Sequence, residues 1–452
     1  MKYILTLILV ITAAVGAYAK DRFLISFWLA PPRYDDGIYG DMAEAGFTLV
    51  FDELAADQKL VLDQSGKFGM KCLVNDRRTM AKDPSDPDFG KNLDAVVADY
   101  KDHPALWGYH LTDEPLFDAF PKLAAVTKYL KEKDPMHPAF VNLLPNYGSF
   151  LFGGKTFDDY VRGFIDEVNP EIVSYDHYAL RRDGPDRFDS TYDNIEVVSK
   201  ACRDYGLPFN AIVLSIPHAP GGNRNGGYRD PNEAELRWQV YTALAYGAKG
   251  IQYFCYHVPG WDTDSSLETG KEPFNGFYWG DGILNRDMTR NEKYYIVKKI
   301  NAEIRDMEDV LLNAKCAAVY NTGAPKDFKE EEVKAVGGKE VSMAEQIVLS
   351  AKGKGPRLGV LPQSTAPFPA DYPIQISGGD FTMGVFELKG DKYIMVVNRD
   401  YKHPAAALIN FARPVALKEI APHGKSIVEV TPTYAVKSLA AGDGILIKVS
   451  EK

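Results

Sequence analysis

The sequence predicts an α/β fold: a (β/α)8 TIM barrel over residues 20–314, followed by a C-terminal β-sandwich over 315–452. Three observations carry this expectation. Short apolar runs alternate with amphipathic segments from Asp21 to about Ala314, the pattern of strands crossed by helices. There are eight such runs, and a span of this size suits a barrel of ~250 residues plus insertions. Beyond Ala314 the helical period gives way to short alternating strands divided by turn residues, the habit of a sandwich.

The expected barrel strands are 23–29, 48–51, 71–74, 106–111, 139–143, 172–176, 210–214 and 250–256. Helix-like segments between them include 120–133, 192–205 and 232–246. Gly46, Gly69, Gly206 and Gly247 stand just before strands, where a helix stop needs a left-handed residue. A doubly wound sheet is the competing topology, but no Gly-rich phosphate loop follows the first strand. In the second region the expected strands are 393–398, 407–411, 426–430 and 444–449. Residues 325–373, rich in Lys, Glu, Gly and Pro, read as an irregular entry to the sandwich. No internal repeat is evident.

Composition bounds the function. The chain has 452 residues, 45% hydrophobic and 25% charged, with 26 tyrosines. Aromatic faces suit the apolar faces of sugar rings, although tyrosine also serves strands. A net charge of −10 argues against nucleic acid as a partner, because phosphate binding needs clustered Lys and Arg. Residues 1–19 have the form of an export signal: Lys2, an apolar stretch from Ile4 to Gly16, then Ala17-Tyr18-Ala19. No cysteine follows for a lipid anchor, and the stretch is short for a membrane span. The mature protein is therefore expected in the periplasm or outside the cell, with no membrane span. Cys72, Cys202, Cys255 and Cys316 are widely separated and show no metal-ligand spacing, so buried thiols are expected. No cofactor or metal signature is present, and nothing sets an oligomeric state.

The most informative stretch is Trp107-Gly108-Tyr109-His110-Leu111-Thr112-Asp113-Glu114-Pro115. It reads as a buried strand ending on two acids and stopped by proline. Unpaired charge is costly to bury, so acids at such an end are expected to face a cleft; an N-cap role before the next helix is the plainer alternative. Barrels of this type gather reactive groups at strand C-terminal ends. Those ends carry Trp28; Asp52-Glu53; Asn75-Asp76-Arg77; Asp113-Glu114; Asn142, Asn146 and Tyr147; Asp176-His177-Tyr178; Ser215 and His218; and Tyr256, His257 and Trp261. Strand alternation puts Gly108, His110, Thr112 and Glu114 on one face, with Trp107, Tyr109 and Leu111 on the other. Ser174, Asp176 and Tyr178 likewise share a face. Glu114 and Asp176 are thereby expected to approach each other across the mouth.

Two carboxyls flanking a sugar bond are the working parts of most glycosidases. Glu114 is the expected acid/base and Asp176 its partner; an aspartate that merely orients His177 or a loop amide is the structural alternative. Trp28, His110, Asp113, Asn142, His177, Tyr178, Tyr256, His257 and Trp261 are the expected substrate contacts. Glu268, in the long loop after strand eight, is the reserve second carboxylate. A separation of about 5–5.5 Å between the pair implies retention of configuration, and about 6.5–9.5 Å inversion. Metal binding by His and carboxylate is a weaker reading, because no HxxxH-type spacing occurs.

On these residues the chain resembles the clan A barrel glycoside hydrolases, including relatives of the family 42 β-galactosidases. Residues 108–115 resemble their strand-four segment, where the acid/base glutamate follows Asn or Asp. Arg237-Trp238-Gln239, Tyr241, then Ala245-Tyr246-Gly247-Ala248-Lys249-Gly250 and Tyr253-Phe254 are similar to their last helix and eighth strand. Val396-Val397-Asn398 and Ala441-Gly442-Asp443-Gly444 resemble the small β-domain after such barrels. The resemblance implies an exported enzyme that hydrolyses a poly- or oligosaccharide. One departure stands out: the family places its nucleophilic glutamate at the end of strand seven, and residues 210–219 contain no acid. Either the nucleophile comes from elsewhere, or the barrel binds carbohydrate without cleaving it. A metal-dependent hydrolase or polysaccharide lyase is the third class.

Overall fold

The computed structural model describes residues 22–80, 83–220, 225–258, 277–322, 368–369, 372–421, 427–428 and 434–451. Eight parallel strands form one sheet: β1 Leu24–Trp28, β2 Leu49–Phe51, β3 Lys71–Asn75, β4 Leu106–Asp113, β5 Ala139–Leu143, β6 Val173–Asp176, β7 Phe209–Leu214 and β8 Gly250–Phe254. Their spatial order is the chain order, with β1 beside β8. Helices α1 Asp36–Glu44, α2 Gln58–Lys67, α3 Phe89–Tyr100, α4 Phe120–Lys133, α5 Phe157–Val168, α6 Phe188–Tyr205, α7 Glu233–Ala245 and α8 Glu292–Asp306 cross between them or follow. This is the expected (β/α)8 barrel.

The seam between β1 and β2 is closed by a side chain. Thr48 donates its N–H to the Ile25 carbonyl at 2.8 Å. Its hydroxyl accepts from Ile25 N–H and donates to Phe23 C=O, both at 2.9 Å. On the other side its carbonyl accepts from Lys71 N–H at 2.9 Å. One threonine thus supplies hydrogen bonds that a ladder would otherwise provide, and leaves no open edge.

Local chemistry sets the helix ends. Thr156 and Asp159 form a capping box at the start of α5, and Asn169 closes it in the left-handed conformation at φ +52°. Gly206 does the same for α6. Helix α7 is different, because every residue from Glu235 to Ala245 is buried. A helix without a polar face must be covered on all sides, and the C-terminal domain covers its outer side.

That domain has two antiparallel sheets. The larger runs in the order β9 Lys315–Asn321, β11 Phe381–Leu388, β12 Asp391–Asn398, β17 Gly444–Glu451, β14 Val415–Ala421, β15 Ile427–Val428. The smaller is β10 Ile374–Ser377, β13 Ala405–Phe411, β16 Tyr434–Leu439. Phe381, Ile394, Val396, Ile409, Leu417, Ile445 and Ile447 pack into a shared core. It is the expected sandwich. Strands β9, β10, β11, β14 and β16 were not expected. In β11 both faces are buried for six residues, so alternation is lost, and Gly384 interrupts it.

Glycine permits the docking onto α7. A Cβ at Gly384 would lie 2.0 Å from the Ala245 carbonyl oxygen, and one at Gly442 2.0 Å from that of Ala234. Charge then fixes the contact. Arg237 on α7 pairs with Asp443 at 2.7 Å and Glu303 at 2.8 Å, all three nearly inaccessible. Tyr241 adds its hydroxyl to Glu303 at 2.8 Å. Among the described residues, no helix is long and apolar enough to cross a membrane.

Arg237→Leu leaves Glu303 and Asp443 buried without their cation. The expected loss is ~3–5 kcal/mol, against about 0–0.5 kcal/mol for Lys299→Ala in its exposed pair with Glu233. Thermal denaturation of the two variants checks the contrast.

Candidate active site

Strand β4 does not alternate strictly. Its pairing shifts register between Leu106 and Gly108 against β3, and between His110 and Thr112 against β5. Tyr109 and Leu111 join the layer under the helices as expected. Trp107 does not: it packs inside the barrel, 6.0 Å from the Phe140 ring. The first irregularity explains the correction, since one added residue reverses the facing of those behind it.

Beyond Asp113 the chain turns sharply, because Glu114 has φ +46°. That conformation is unfavourable for a residue with a Cβ, at roughly 1–3 kcal/mol. Two anchors hold it: Glu114 N–H donates to the Asn142 carbonyl at 2.9 Å, and the Pro115 carbonyl accepts from Tyr160 Oη at 2.6 Å. The turn gives Asp113 and Glu114 access to the mouth together, and both are exposed.

Asn142 at the end of β5 organises the acids. Its Nδ2 donates to Asp113 Oδ1 and Asp176 Oδ1, each at 3.0 Å. Its own Oδ1 accepts from Ser174 Oγ at 3.2 Å, and Ser174 Oγ accepts from Asn210 at 3.2 Å. The amide orientation is thereby fixed across four strands. Asp176 faces the axis as alternation required. Glu114 and Asp176 each act on the other's proton affinity, so the two carboxyls lie near each other. The two expected partners are therefore brought together at the same end of the barrel.

Their proton affinities follow. Enclosure by protein raises Glu114 well above the ordinary carboxyl range, and the negative charges of Asp176 and Asp113 raise it further. Asp113 is raised by the same enclosure and by Asp176. Asp176 is raised by burial but held back by Asn142, Glu114 and Tyr178. Asp176 is thus held closer to the ordinary carboxyl range than Asp113, and Glu114 is displaced towards its protonated form.

Aromatic groups line the side beyond Asp176. Tyr178 stacks on Phe254 at 5.3 Å and meets Tyr228 and His218 edge-on. His218 stacks on Trp279 at 5.2 Å. The Arg187 guanidinium lies 4.1 Å over the Tyr147 ring and donates to Tyr228 Oη at 3.0 Å. At the opposite rim, Glu53 at the end of β2 is half-buried and accepts from Trp28 Nε1 at 2.9 Å. Its neighbour Asp52 points the other way, under Tyr34 and Tyr39, and burial raises its carboxyl to about 7.

Several expected contacts lie elsewhere. Trp28 is 3% exposed and serves Glu53 instead of offering a ring face. His110 is wholly buried inside the barrel, bonded through Nδ1 to Asn75 at 2.9 Å, and burial pushes it down to about 3. His177 points behind the mouth, with one ring nitrogen on Ser190 and the other on Thr191, both at 3.1 Å. Tyr256 packs among Phe27 and Phe47 in the helix layer, because β8 ends at Phe254 and the chain has already turned. His257 is buried against the Arg286 carbonyl at 3.1 Å. Trp261 and Glu268 lie outside the described residues. Glu53, Tyr228 and Arg187 were not among the expected site residues. For Glu53 the strand-end position was visible, and alternation with Asp52 would have selected it. Among the described residues, no group of His, Cys, Asp and Glu is arranged to hold a metal ion.

No protein-family model matches the chain, and no curated protein matches it. Similar solved structures include a family 27 β-L-arabinopyranosidase from Geobacillus stearothermophilus in complex with arabinose, 10% identical over 97% of this chain and 99% of its own, TM-score 0.49. A β-galactosidase from Marinomonas ef1 is 10% identical over 64% of this chain and 62% of its own, TM-score 0.47. A xylanase from Thermotoga maritima is 12% identical over 64% and 97%, TM-score 0.41. Likenesses this distant decide nothing about the activity of this chain.

Asp52 gives a test of the rim's electrostatics. A carboxyl raised in the folded state contributes fully below its unfolded value near ~4, and that contribution is lost as pH rises towards about 7. Asp52→Asn removes the dependence. Melting curves should show the variant gaining on wild type by about 1.4 kcal/mol per pH unit across that window, then running parallel above it.

Proposed function

We propose that this protein is a glycoside hydrolase of poly- or oligosaccharides with Glu114 as general acid. The observation that carries the reading is an exposed carboxyl at a strand end, its proton affinity raised by its surroundings and by Asp176, at a mouth lined by aromatic rings. A general acid needs a proton at working pH and a reachable oxygen to receive it. Glu114 would donate to the glycosidic oxygen as the C–O bond breaks. The charge then left on Glu114 and Asp176 lies beside the anomeric centre, where positive charge develops. Tyr178 and the rings around it suit the apolar face of a sugar. Asp113 and Asn142 serve as supports that hold the acids in register. The form of residues 1–19 supports action outside the cytoplasm.

A carbohydrate-binding barrel without turnover is the second reading, favoured by the end of β7. There Ser215 donates its hydroxyl to the Cys255 carbonyl at 3.2 Å, and no acid follows through Ala219. One experiment separates the two: hydrolysis of a broad glycan panel, with Glu114→Gln as control. Glu114→Gln is expected to lower kcat by ~10²–10⁴-fold while leaving glycan binding intact. Binding without turnover in the wild type would establish the second reading.

The pH profile offers a further check. Asp176→Asn removes a negative charge beside Glu114, so the ionised Glu114 becomes less unfavourable and its proton is lost earlier. In residual turnover by this variant, the alkaline limb should move to lower pH; a limb that stays put would separate Glu114 from it.

A further inference from the structure

A single row of polar residues crosses the barrel interior and ends at the acids. Strand pairing sets Asp113 beside Asn142, Asn142 beside Ser174, Ser174 beside Asn210 and Asn210 beside Gly250. Partners in register on adjacent strands point to the same face, so these side chains meet in sequence. Asn210 Nδ2 donates to Ser174 Oγ at 3.2 Å, and Ser174 Oγ donates to Asn142 Oδ1 at 3.2 Å. Asn142 Nδ2 then donates to Asp113 Oδ1 and Asp176 Oδ1, each at 3.0 Å. Its backbone carbonyl accepts the Glu114 N–H at 2.9 Å. One asparagine thus bonds to all three acidic residues, and every side-chain bond behind it runs toward it.

The direction of those bonds follows from the donors. Asn210 presents an N–H to Ser174 Oγ, so the serine hydrogen points away from it, and Asn142 Oδ1 is the acceptor that receives it. With its oxygen engaged there, the Asn142 amide turns its two N–H groups to the acids. An oxygen that accepts an N–H carries no proton on that side, so one oxygen of Asp113 and one of Asp176 are kept as acceptors. Bonds aligned in one direction also polarise each other in a low-dielectric interior. Space is reserved for the first member of the row: a Cβ at Gly250 would lie 2.5 Å from Asn210 Oδ1. Ser174 and Asn210 are 0% and 4% exposed, so neither reaches a bound sugar.

We propose that Ser174 and Asn210 are positioning residues of this site, which act through Asn142 to keep Asp113 and Asp176 as hydrogen-bond acceptors beside the acid, Glu114. Their role in turnover rests on the glycosidase reading above; the hydrogen-bond role does not. In turnover Glu114 gives its proton to the leaving oxygen, and the two aspartates must not compete for that proton. Without the Ser174 hydroxyl, Asn142 Oδ1 loses its donor, and a buried unpaired oxygen is costly. The amide gains by turning that oxygen toward the acids, where only a protonated carboxyl satisfies it. Asp113 and Asp176 then bind protons more tightly. The titratable groups linked to the two aspartates are Glu53, Glu114, Tyr147, Tyr160, Tyr175 and Tyr178. Ser174 and Asn210 are uncharged and leave all of these in place, so the effect passes through Asn142.

Carboxyl carbon NMR of the full chain follows both aspartates against pH. Ser174→Ala should raise the apparent midpoints of the pair by about one pH unit, as expected for roughly one lost hydrogen bond. Asn210→Ala should move them the same way by less, and it carries the test if Ser174→Ala does not fold. Ser26→Ala, which deletes a buried hydroxyl of β1 outside the row, should leave them at wild-type values. On a glycan that the wild type cleaves, Ser174→Ala should move the acidic limb of kcat to higher pH with KM little changed. Midpoints that stay put in the row variants, or that move as far in Ser26→Ala, overturn the proposal. Raised midpoints with an unmoved limb overturn the role in turnover. A wild type that cleaves nothing overturns the glycosidase reading instead, and the titration still decides the positioning role.

Discussion

Carboxylates gathered at one end of a barrel repel each other unless something stands between them, and here the side-chain amide of Asn142 on β5 stands between Asp113 on β4 and Asp176 on β6. Its Nδ2 serves Asp113 and Asp176 at equal distance. Because Ser174 fixes the amide from the other end, the group cannot flip to present its oxygen to the acids. The bridge has an asymmetric effect. It holds back the proton affinity of Asp176, which also gains Tyr178, but does not reach Glu114. A cluster of three acids is thus graded, with Asp176 nearest the ordinary carboxyl range and Glu114 displaced well above it. That sorting is what acid catalysis requires, and it follows from which strand each group stands on.

The turn at Glu114 depends on the same region. A left-handed residue with a side chain persists only where its neighbours hold it. Here the Asn142 backbone and Tyr160 on α5 do so. Tyr160 is in turn stacked on Phe152 at 4.3 Å. The strain at the site is therefore carried by packing between β5 and α5, behind the mouth. Farther off, α7 and the sandwich form a second rigid unit. The buried Arg237 triad and the close approach at Gly384 and Gly442 join the domains without contributing a group to the mouth. Rigidity in a scaffold of this kind is what allows carboxyls to be held at chosen spacings.

Much of this could be read from the sequence, and the limits have physical reasons. The eight barrel strands fall within two residues of their expected bounds, because buried parallel strands are continuous apolar runs. The facing of individual side chains was less secure. Alternation placed Asp176 toward the axis correctly, yet failed at Trp107, where a register shift in β4 reverses the count. It also could not foresee that Asp113 and Glu114 would both reach the mouth, which needs φ +46° at a glutamate. Proximity to a strand end is a weaker signal than direction: Tyr256 and His257 stand at the right height and point into the helix layer.

The histidines make the same point chemically. A histidine near a rim suggests hydroxyl recognition, but three of them are engaged by the scaffold. His110 is bonded to Asn75, His177 to Ser190 and Thr191, and His257 to Arg286. Burial pushes all three down, so they are neutral and serve as fixed dipoles. The described mouth is then lined by carboxyls, aromatic rings that include His218 and Trp279, one amide and one arginine. Such a lining can donate, accept and stack, and burial raises its carboxyls while it pushes His218 down to about 4. Proton transfer at the mouth is therefore a matter for its carboxyls, whose affinities are set by the neighbours that each strand end provides.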